Sequence, residues 1–169
     1  EFIGLQETKV QDKDFPLQAI HDLGYEVIYM GQKTHYGVAL MSKSPCIETQ
    51  LGFPGDEEDA QKRFIGGHYR VEGEDWFLYN GYFPQGEADS HPVKYPAKRK
   101  FYTDLNQFLS QKHTPDQKVV VMGDYNIAPD DKDIGIGADN AKRWLKSGKT
   151  SFLPEERECP HRIQTIRPW

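Results

Sequence analysis

The sequence predicts an α/β sandwich, with β-sheets in the middle and helices outside. Strand-like segments dominate the central part of the chain, and helical patterns flank them both early and late. The length of 169 residues allows one domain with a substantial core. With 37% hydrophobic and 28% charged residues, the composition is that of a folded globular protein.

The predicted elements follow from apolar runs, turn residues and helical periodicity. Strands are predicted at residues 2–6, 25–29, 36–41, 46–50, 63–71, 76–82 and 118–123, and helices at 16–23, 94–111 and 139–146. A turn at 72–75 predicts a hairpin and therefore antiparallel pairing.

The helix at 94–111 has the clearest amphipathic pattern. Phe101, Leu105, Phe108 and Leu109 fall at i, i+4, i+7 and i+8 and form one apolar face. The other face is predicted to carry basic residues, which either are solvated or contact a phosphate backbone. Further basic residues lie near the end of the chain. The candidates for contact with a phosphate backbone are therefore Lys98, Arg99, Lys100, Lys142, Arg143, Lys146 and Lys149.

Charge and cysteine content restrict the classes of function. The net charge of -5 argues against nucleic-acid binding by general positive charge, although local basic patches could still contact phosphates. Cys46 and Cys159 are far apart, so neither a disulfide framework nor a zinc site is expected. A reduced, cytoplasmic setting fits this cysteine content. The apolar runs are short, and we expect no membrane association.

The first candidate site follows the strand at 118–123. Gly123 lets the backbone turn after a buried apolar run, so that Asp124 and Asn126 stand just beyond the strand. If extended geometry continues that far, both side chains point to the same side. The alternative is an ordinary turn, because Gly, Asp and Asn are common turn residues.

Glu7 repeats this arrangement of a strand followed by a carboxylate. Together with Asp124 and Asn126 it would supply the hard oxygen ligands that Mg²⁺ prefers. A surface glutamate before a loop is the alternative interpretation of Glu7. A calcium loop of the EF-hand type is excluded, because Ala128 and Pro129 stand where a ligand and a glycine are needed.

A third candidate lies where the strand at 76–82 ends. Tyr82 and Gln85 stand between Gly81 and Gly86, so their polar tips could approach a bound phosphate or base. The alternative is a tyrosine that packs by its ring and leaves its hydroxyl in water. The same alternatives apply to Tyr36.

Six stretches together resemble exonuclease III and the related abasic-site endonucleases of the endonuclease/exonuclease/phosphatase superfamily. They occur in the family's order and cover nearly the whole of residues 1–158. They are residues 3–9 (IGLQETK), 35–40 (HYGVAL), 80–86 (NGYFPQG), 122–127 (MGDYNI), 133–137 (DIGIG) and 151–157 (SFLPEER).

The resemblance implies a four-layer α/β sandwich, in which two mixed sheets pack face to face with helices outside. It implies a monomeric, Mg²⁺-dependent DNA repair nuclease, with Mn²⁺ as a substitute. The expected reactions are 3′-to-5′ exonucleolytic removal of nucleotides from duplex DNA and incision on the 5′ side of an abasic site. Arg63 and Gln85 are expected to lie along the DNA.

The resemblance also assigns roles to the remaining candidates. Glu7 would bind the catalytic metal ion, and Tyr82 would contact the scissile phosphate. Asp124 would orient or deprotonate the attacking water. Asn126 would help to hold the phosphate and a second metal ion. Asp124 and Asn126 are thus expected to be both catalytic and metal-site residues.

The sequence departs from the family at both ends. Residues 1–158 are expected to form a partial domain that lacks the family's first strand and its later metal-site residues, and 159–169, with His161, is unlike the family. We therefore expect a truncated fragment, with a tail from a shifted reading frame or an artificial end and with weak or no nuclease activity. The alternatives are another phosphodiesterase or phosphatase of the superfamily, and a DNA-binding module that has lost catalysis.

Overall fold

The computed structural model describes residues 1–157, apart from the side chain of Ala138. The chain divides into two compact units, which are described separately. The first comprises Glu1–Tyr82 and Asp116–Asp124, and the described part of the second comprises Phe83–Pro115 and residues 125–157. The tail predicted at 159–169 lies outside the described residues.

The first unit contains two sheets and one α-helix. The three-stranded sheet has the order β1-β3-β2, and the four-stranded sheet has the order β4-β5-β6-β7. The elements are β1 (Phe2–Gln6), α1 (Leu17–Asp22), β2 (Glu26–Met30), β3 (Val38–Ser42), β4 (Glu48–Leu51), β5 (Phe64–Val71), β6 (Glu74–Tyr82) and β7 (Lys118–Asp124).

The core lies between the two sheets. Val38 and Leu40 of β3 are fully buried against Ile65 and Tyr69 of β5 and Leu78 of β6. Partly buried side chains from β1, β2 and β7 close the edges of this cluster. An apolar layer between two facing sheets is what makes a sandwich stable, so the predicted α/β sandwich is confirmed for this unit.

The strand predictions are confirmed, with three differences of detail. The hairpin turn consists of Glu72 and Gly73 alone, both with positive φ, because Val71 already pairs with Glu74. The run 119–122 in β7 is partly and not fully buried, because β7 is at the edge of the four-stranded sheet among the described residues.

The third difference is the strand direction in the three-stranded sheet. Two mixed sheets were expected, but the described strands of this sheet are all antiparallel. The four-stranded sheet is mixed, as expected, because β7 runs parallel to β6 while the other pairs are antiparallel. A short loop joins β2 to β3, and short connections favour antiparallel pairing, whereas the chain between β6 and β7 includes a long helix.

The buried side-chain amide of Asn80 links the two sheets. Asn80 of β6 is 0% exposed, and its Nδ2 donates to the carbonyl oxygens of Leu5 in β1 (2.8 Å) and Ala39 in β3 (2.9 Å). Its Oδ1 accepts from Nε2 of Gln6 at 2.5 Å. Gly4 leaves the necessary space, because a Cβ there would lie 2.8 Å from Oδ1 of Asn80. The side-chain amide of Asn80 therefore fixes β6 relative to β1 and β3.

The second unit contains α2 (Lys94–Lys112) and α3 (Ala138–Lys146). The predicted apolar face of α2 is confirmed, because Phe101, Leu105, Phe108 and Leu109 are all buried. None of the helices described in residues 1–157 is both long and apolar enough to cross a membrane.

The prediction that Lys98 lies on the basic face of α2, opposite the apolar face, is wrong. Its side chain is buried, whereas those of Arg99 and Lys100 are exposed. Lys98 precedes Phe101 by three residues and Leu105 by seven, so it lies on the apolar face of the helix. Its burial is possible because its ammonium group is 2.6 Å from a carboxylate oxygen of Glu156.

We predict that Asn80→Ala lowers the free energy of unfolding by about 3 kcal/mol, because two strand carbonyls lose their buried donor and a cavity is left. Urea denaturation followed by tryptophan fluorescence measures this change. Asn106→Ala on α2 is the control, and we expect a change within about 0.5 kcal/mol there. Equal effects of the two substitutions would contradict the bridging role of Asn80.

Candidate active site

Three strand ends meet in the first unit. Glu7 follows β1, Tyr82 ends β6, and Asp124 ends β7 directly opposite Tyr82 in the parallel pair. The Tyr82 hydroxyl donates a hydrogen bond to Oε1 of Glu7. The structure thus brings Glu7, Tyr82 and Asp124 together, although β1 belongs to a different sheet from β6 and β7.

Glu7 is a charged and accessible carboxylate. Its side chain is 42% exposed, and Nζ of Lys9 lies 2.6 Å from its Oε2. The hydrogen bonds from Lys9 and Tyr82 hold the pKa of Glu7 below its usual value. Glu7 therefore offers a full negative charge at neutral pH.

The backbone at Glu7 is strained, and hydrogen bonds to a neighbouring loop stabilise it. Glu7 and Lys9 have φ values of 53° and 58°, in the left-handed region that side chains other than glycine rarely adopt. The N–H groups of Thr8 and Lys9 donate to the carbonyls of Gly37 (3.2 Å) and Tyr36 (3.0 Å). The loop before β3 thus holds the turn in which the Glu7 carboxylate is presented.

Arg63 lies against the rings of Tyr36 and Tyr82. Its Cζ is 4.2 Å from the ring centroid of Tyr36 and 4.7 Å from that of Tyr82, which are cation–π distances. Its Nη1 donates to the carbonyl oxygen of Tyr82 at 2.9 Å. Burial lowers the pKa of Arg63, yet guanidinium stays charged at neutral pH. The sequence could not decide the role of Tyr36, because its partner Arg63 is distant in sequence and no local pattern predicts their contact.

Tyr82 is a neutral hydrogen-bond donor. Burial and the hydrogen bond to Glu7 raise the pKa of Tyr82 to about 12, with a further contribution from the charge of Asp124. The phenol keeps its proton at neutral pH and can donate it to an anionic oxygen.

Gly123 is required by the close approach of β6 and β7. It pairs with Gly81, its φ is 138°, and a Cβ at this position would lie 1.9 Å from the carbonyl oxygen of Gly81. A backbone atom cannot move aside as a flexible side chain can. Glycine at this position therefore fixes where Asp124 leaves the strand.

Asn126 and Gln85 belong to the second unit. Asn126 has a φ of 50°, so extended geometry ends at Asp124 and the alternation argument does not apply to Asn126. Its Nδ2 donates to the carbonyl oxygen of Phe83 at 2.9 Å. The Gln85 side chain is exposed, and its Oε1 accepts from the backbone N–H of Glu87 at 3.1 Å.

The carboxylates of the first unit fit a hard divalent cation. Among residues 1–157 no three His, Cys, Asp or Glu side chains converge on one point. Mg²⁺, however, is commonly held by one or two carboxylates together with water and substrate phosphates. Glu7 is ionised and accessible, and its Lys9 partner is an exposed ammonium on a flexible stem that a divalent cation can displace.

We predict that Lys9→Gln raises the pKa of Glu7 towards its usual value, 4.5, because Lys9 is the largest cause of the lowered value. The stabilisation from ionised Glu7 is present above the unfolded-state pKa and is lost as the pH falls through the folded-state pKa. Carboxyl ¹³C NMR of Glu7 in metal-free buffer measures the midpoint. Lys43→Gln is the control, and an unchanged midpoint in Lys9→Gln would refute the pairing.

We predict that Gly123→Ala destabilises the protein by more than about 3 kcal/mol, because the new Cβ collides with backbone and the φ is unfavourable. Gly135→Ala is the matched control, since a Cβ there has open space. Thermal unfolding of both variants measures the difference. If Gly123→Ala unfolds at the wild-type temperature, the close approach of β6 and β7 is not a constraint.

Known proteins are similar to this chain along nearly its whole length. Exodeoxyribonuclease III of Haemophilus influenzae is 52% identical over 163 residues, which are 96% of this chain and 61% of that protein. The solved structure of an AP endonuclease from Archaeoglobus fulgidus is 26% identical, with a TM-score of 0.80. A 3′-5′ exonuclease from Neisseria meningitidis is 30% identical, with a TM-score of 0.79.

The similarity is to part of each relative. The chain is covered to 98% in both structural comparisons but spans only 60% of the two solved chains. The sequence model described as "Endonuclease/Exonuclease/phosphatase family" matches residues 1–169. The chain therefore belongs to the endonuclease/exonuclease/phosphatase family.

Proposed function

We propose that the protein is a Mg²⁺-dependent DNA repair nuclease that hydrolyses phosphodiester bonds in duplex DNA. The reactions proposed are 3′-to-5′ exonucleolytic degradation and incision at abasic sites. The observation that carries the proposal is the meeting of Glu7, Tyr82 and Asp124 at three strand ends. The 52% identity to an exodeoxyribonuclease III and the likeness to an AP endonuclease support the choice of substrate.

Each of the three side chains would have a separate role at the scissile phosphate. Glu7 would hold the cation, with Mn²⁺ as a substitute, and Asp124 would accept a proton from the attacking water. Tyr82 would donate to a phosphate oxygen, for which its raised pKa suits it. The bound Mg²⁺ would neutralise the charge that develops on the phosphate oxygens.

Three further residues would bind the DNA. Arg63 presents a partly buried guanidinium, which suits phosphate because guanidinium forms paired hydrogen bonds with oxyanions. Asn126 would help to hold the phosphate and a second metal ion, and Gln85 would lie along the strand. Such local contacts make binding compatible with a net charge of -5. We propose that the protein acts as a monomer in the cytoplasm.

A DNA 3′-phosphatase is a second candidate. One solved relative, 29% identical with a TM-score of 0.79, is described as a 3′ phosphatase from Neisseria bound to a product DNA hairpin. The same carboxylates would then act on a terminal phosphate monoester. A duplex with a recessed 3′-phosphate end separates the two candidates, because a phosphatase releases inorganic phosphate and leaves internal bonds intact.

We predict slow, Mg²⁺-dependent incision of a labelled duplex that holds one abasic site, measured with protein in excess over DNA. Glu7→Gln and Asp124→Asn should each reduce the single-turnover rate by about 100-fold or more, because they remove the cation ligand and the proton acceptor. Chelation of Mg²⁺ should have the same effect on the wild-type chain.

Glu72→Gln is the matched control. Glu72 is an exposed carboxylate in the turn before β6, at the opposite end of that strand from Tyr82, and its variant should cleave at the wild-type rate. Duplex affinity that persists without cleavage, and that is insensitive to Glu7→Gln and to Mg²⁺, would instead identify a DNA-binding module without catalysis.

A further inference from the structure

We propose that Lys98 is a positioning residue, whose buried ion pair with Glu156 holds the two turns that carry Asn126 and Gln85. The inference rests on the proposed nuclease function, because it explains how two residues assigned to phosphate and DNA are kept in place. All the groups involved belong to the second unit. The side chain of Lys98 is 2% exposed and that of Glu156 is 6% exposed.

A buried ion pair of this kind needs an explanation. Lysine is almost never fully buried, and removing an ammonium group and a carboxylate from water costs more than an apolar pair of the same volume would. Lys98 lies on the same face of α2 as Phe101 and Leu105, where an apolar residue would pack without this cost. Stability alone therefore does not account for a lysine at this position.

The first turn held by Lys98 is that of Asn126. Nζ of Lys98 donates to the backbone carbonyl of Asn126 at 2.9 Å, while the Asn126 side chain donates to Phe83 at 2.9 Å. Asn126 has a left-handed backbone with a φ of 50°. A strained residue keeps such a conformation only when its surroundings fix it. The ammonium group of Lys98 fixes the backbone carbonyl of Asn126. We infer that the orientation of the Asn126 side-chain amide depends on this hydrogen bond.

The second turn held by Lys98 is that of Gln85. Gly86 lies directly over the lysine stem, because a Cβ on Gly86 would be 2.9 Å from Cδ of Lys98 and 3.2 Å from Cγ2 of Thr150. The Thr150 hydroxyl donates to the carbonyl oxygen of Gln85. The turn that contains Gln85 is therefore stabilised by packing against Lys98 and by the hydrogen bond from Thr150.

Glu156 extends the arrangement to a third segment. Its Oε1 is 2.6 Å from Nζ of Lys98, and its Oε2 accepts from the backbone N–H groups of Ser151 (2.7 Å) and Leu153 (3.0 Å). The carbonyl oxygen of Ser151 in turn accepts from the N–H of Ala128 at 2.7 Å. One carboxylate thus orders the loop that binds the backbone of Ala128, two residues beyond Asn126.

The test separates positioning from stability. Lys98→Met leaves Glu156 buried without its cation, so it should lower the melting temperature. The double variant Lys98→Met/Glu156→Gln removes both charges but keeps an oxygen that can accept from the N–H groups of Ser151 and Leu153, so its melting temperature should recover most of the loss. In both variants the side chain at position 98 can no longer donate to the Asn126 carbonyl. In the double variant we therefore expect a single-turnover incision rate about 10- to 100-fold below wild type, with half-saturating DNA changed by less than about 3-fold.

Lys112→Met is the control, because Lys112 is exposed at the end of the same helix. It should change neither melting temperature nor rate. A stable double variant that cleaves at the wild-type rate would show that the ion pair has no positioning role.

A second readout does not depend on activity. The side-chain NH₂ resonances of Asn126 in a ¹⁵N-labelled chain should shift, and their exchange with water should accelerate, in the double variant but not in Lys112→Met. Unchanged Asn126 resonances would overturn the proposal even if the wild-type chain cleaves DNA. Shifted resonances in a chain without nuclease activity would uphold the positioning role and refute the proposed function.

Discussion

The buried amide of Asn80 is the interaction on which the candidate site most depends. It joins β6 to β1 and β3 through hydrogen bonds to Leu5, Ala39 and Gln6. Glu7 directly follows Gln6, and Tyr82 is two residues beyond Asn80, so the same bonds set the relative positions of the carboxylate and the phenol. An apolar residue could fill this space but would let the two sheets slide, because apolar contacts have no fixed direction.

Three residues with left-handed backbone belong to the candidate site residues or contact them. Glu7, Tyr36 and Asn126 all have positive φ, and each is held by hydrogen bonds from neighbouring segments. Conformations of this kind cost about 1–3 kcal/mol each and persist where the surroundings enforce them.

Local patterns predicted the elements well and the site only in part. Apolar runs and glycine turns located the strands, and thus Glu7 just beyond β1 and Tyr82 and Asp124 at the ends of β6 and β7. The choice between a turn and a site at Asp124 came from the resemblance to a family, because spacing alone favoured neither. Lys98 was assigned to the wrong face, since a charge beside an apolar stripe is usually solvated and its partner Glu156 is distant in sequence.

The pairing of the two functional segments is a consequence of long-range contacts that no local pattern contains. In the first unit, Tyr82 lies opposite Asp124 in the parallel strands. In the second unit, the residues that follow them, Phe83 and Tyr125, stack with ring centroids 4.4 Å apart. The bond from Asn126 to the carbonyl of Phe83 continues this pairing by one more residue. Within each unit, these pairwise contacts, more than the composition of either segment, determine which polar groups can act together.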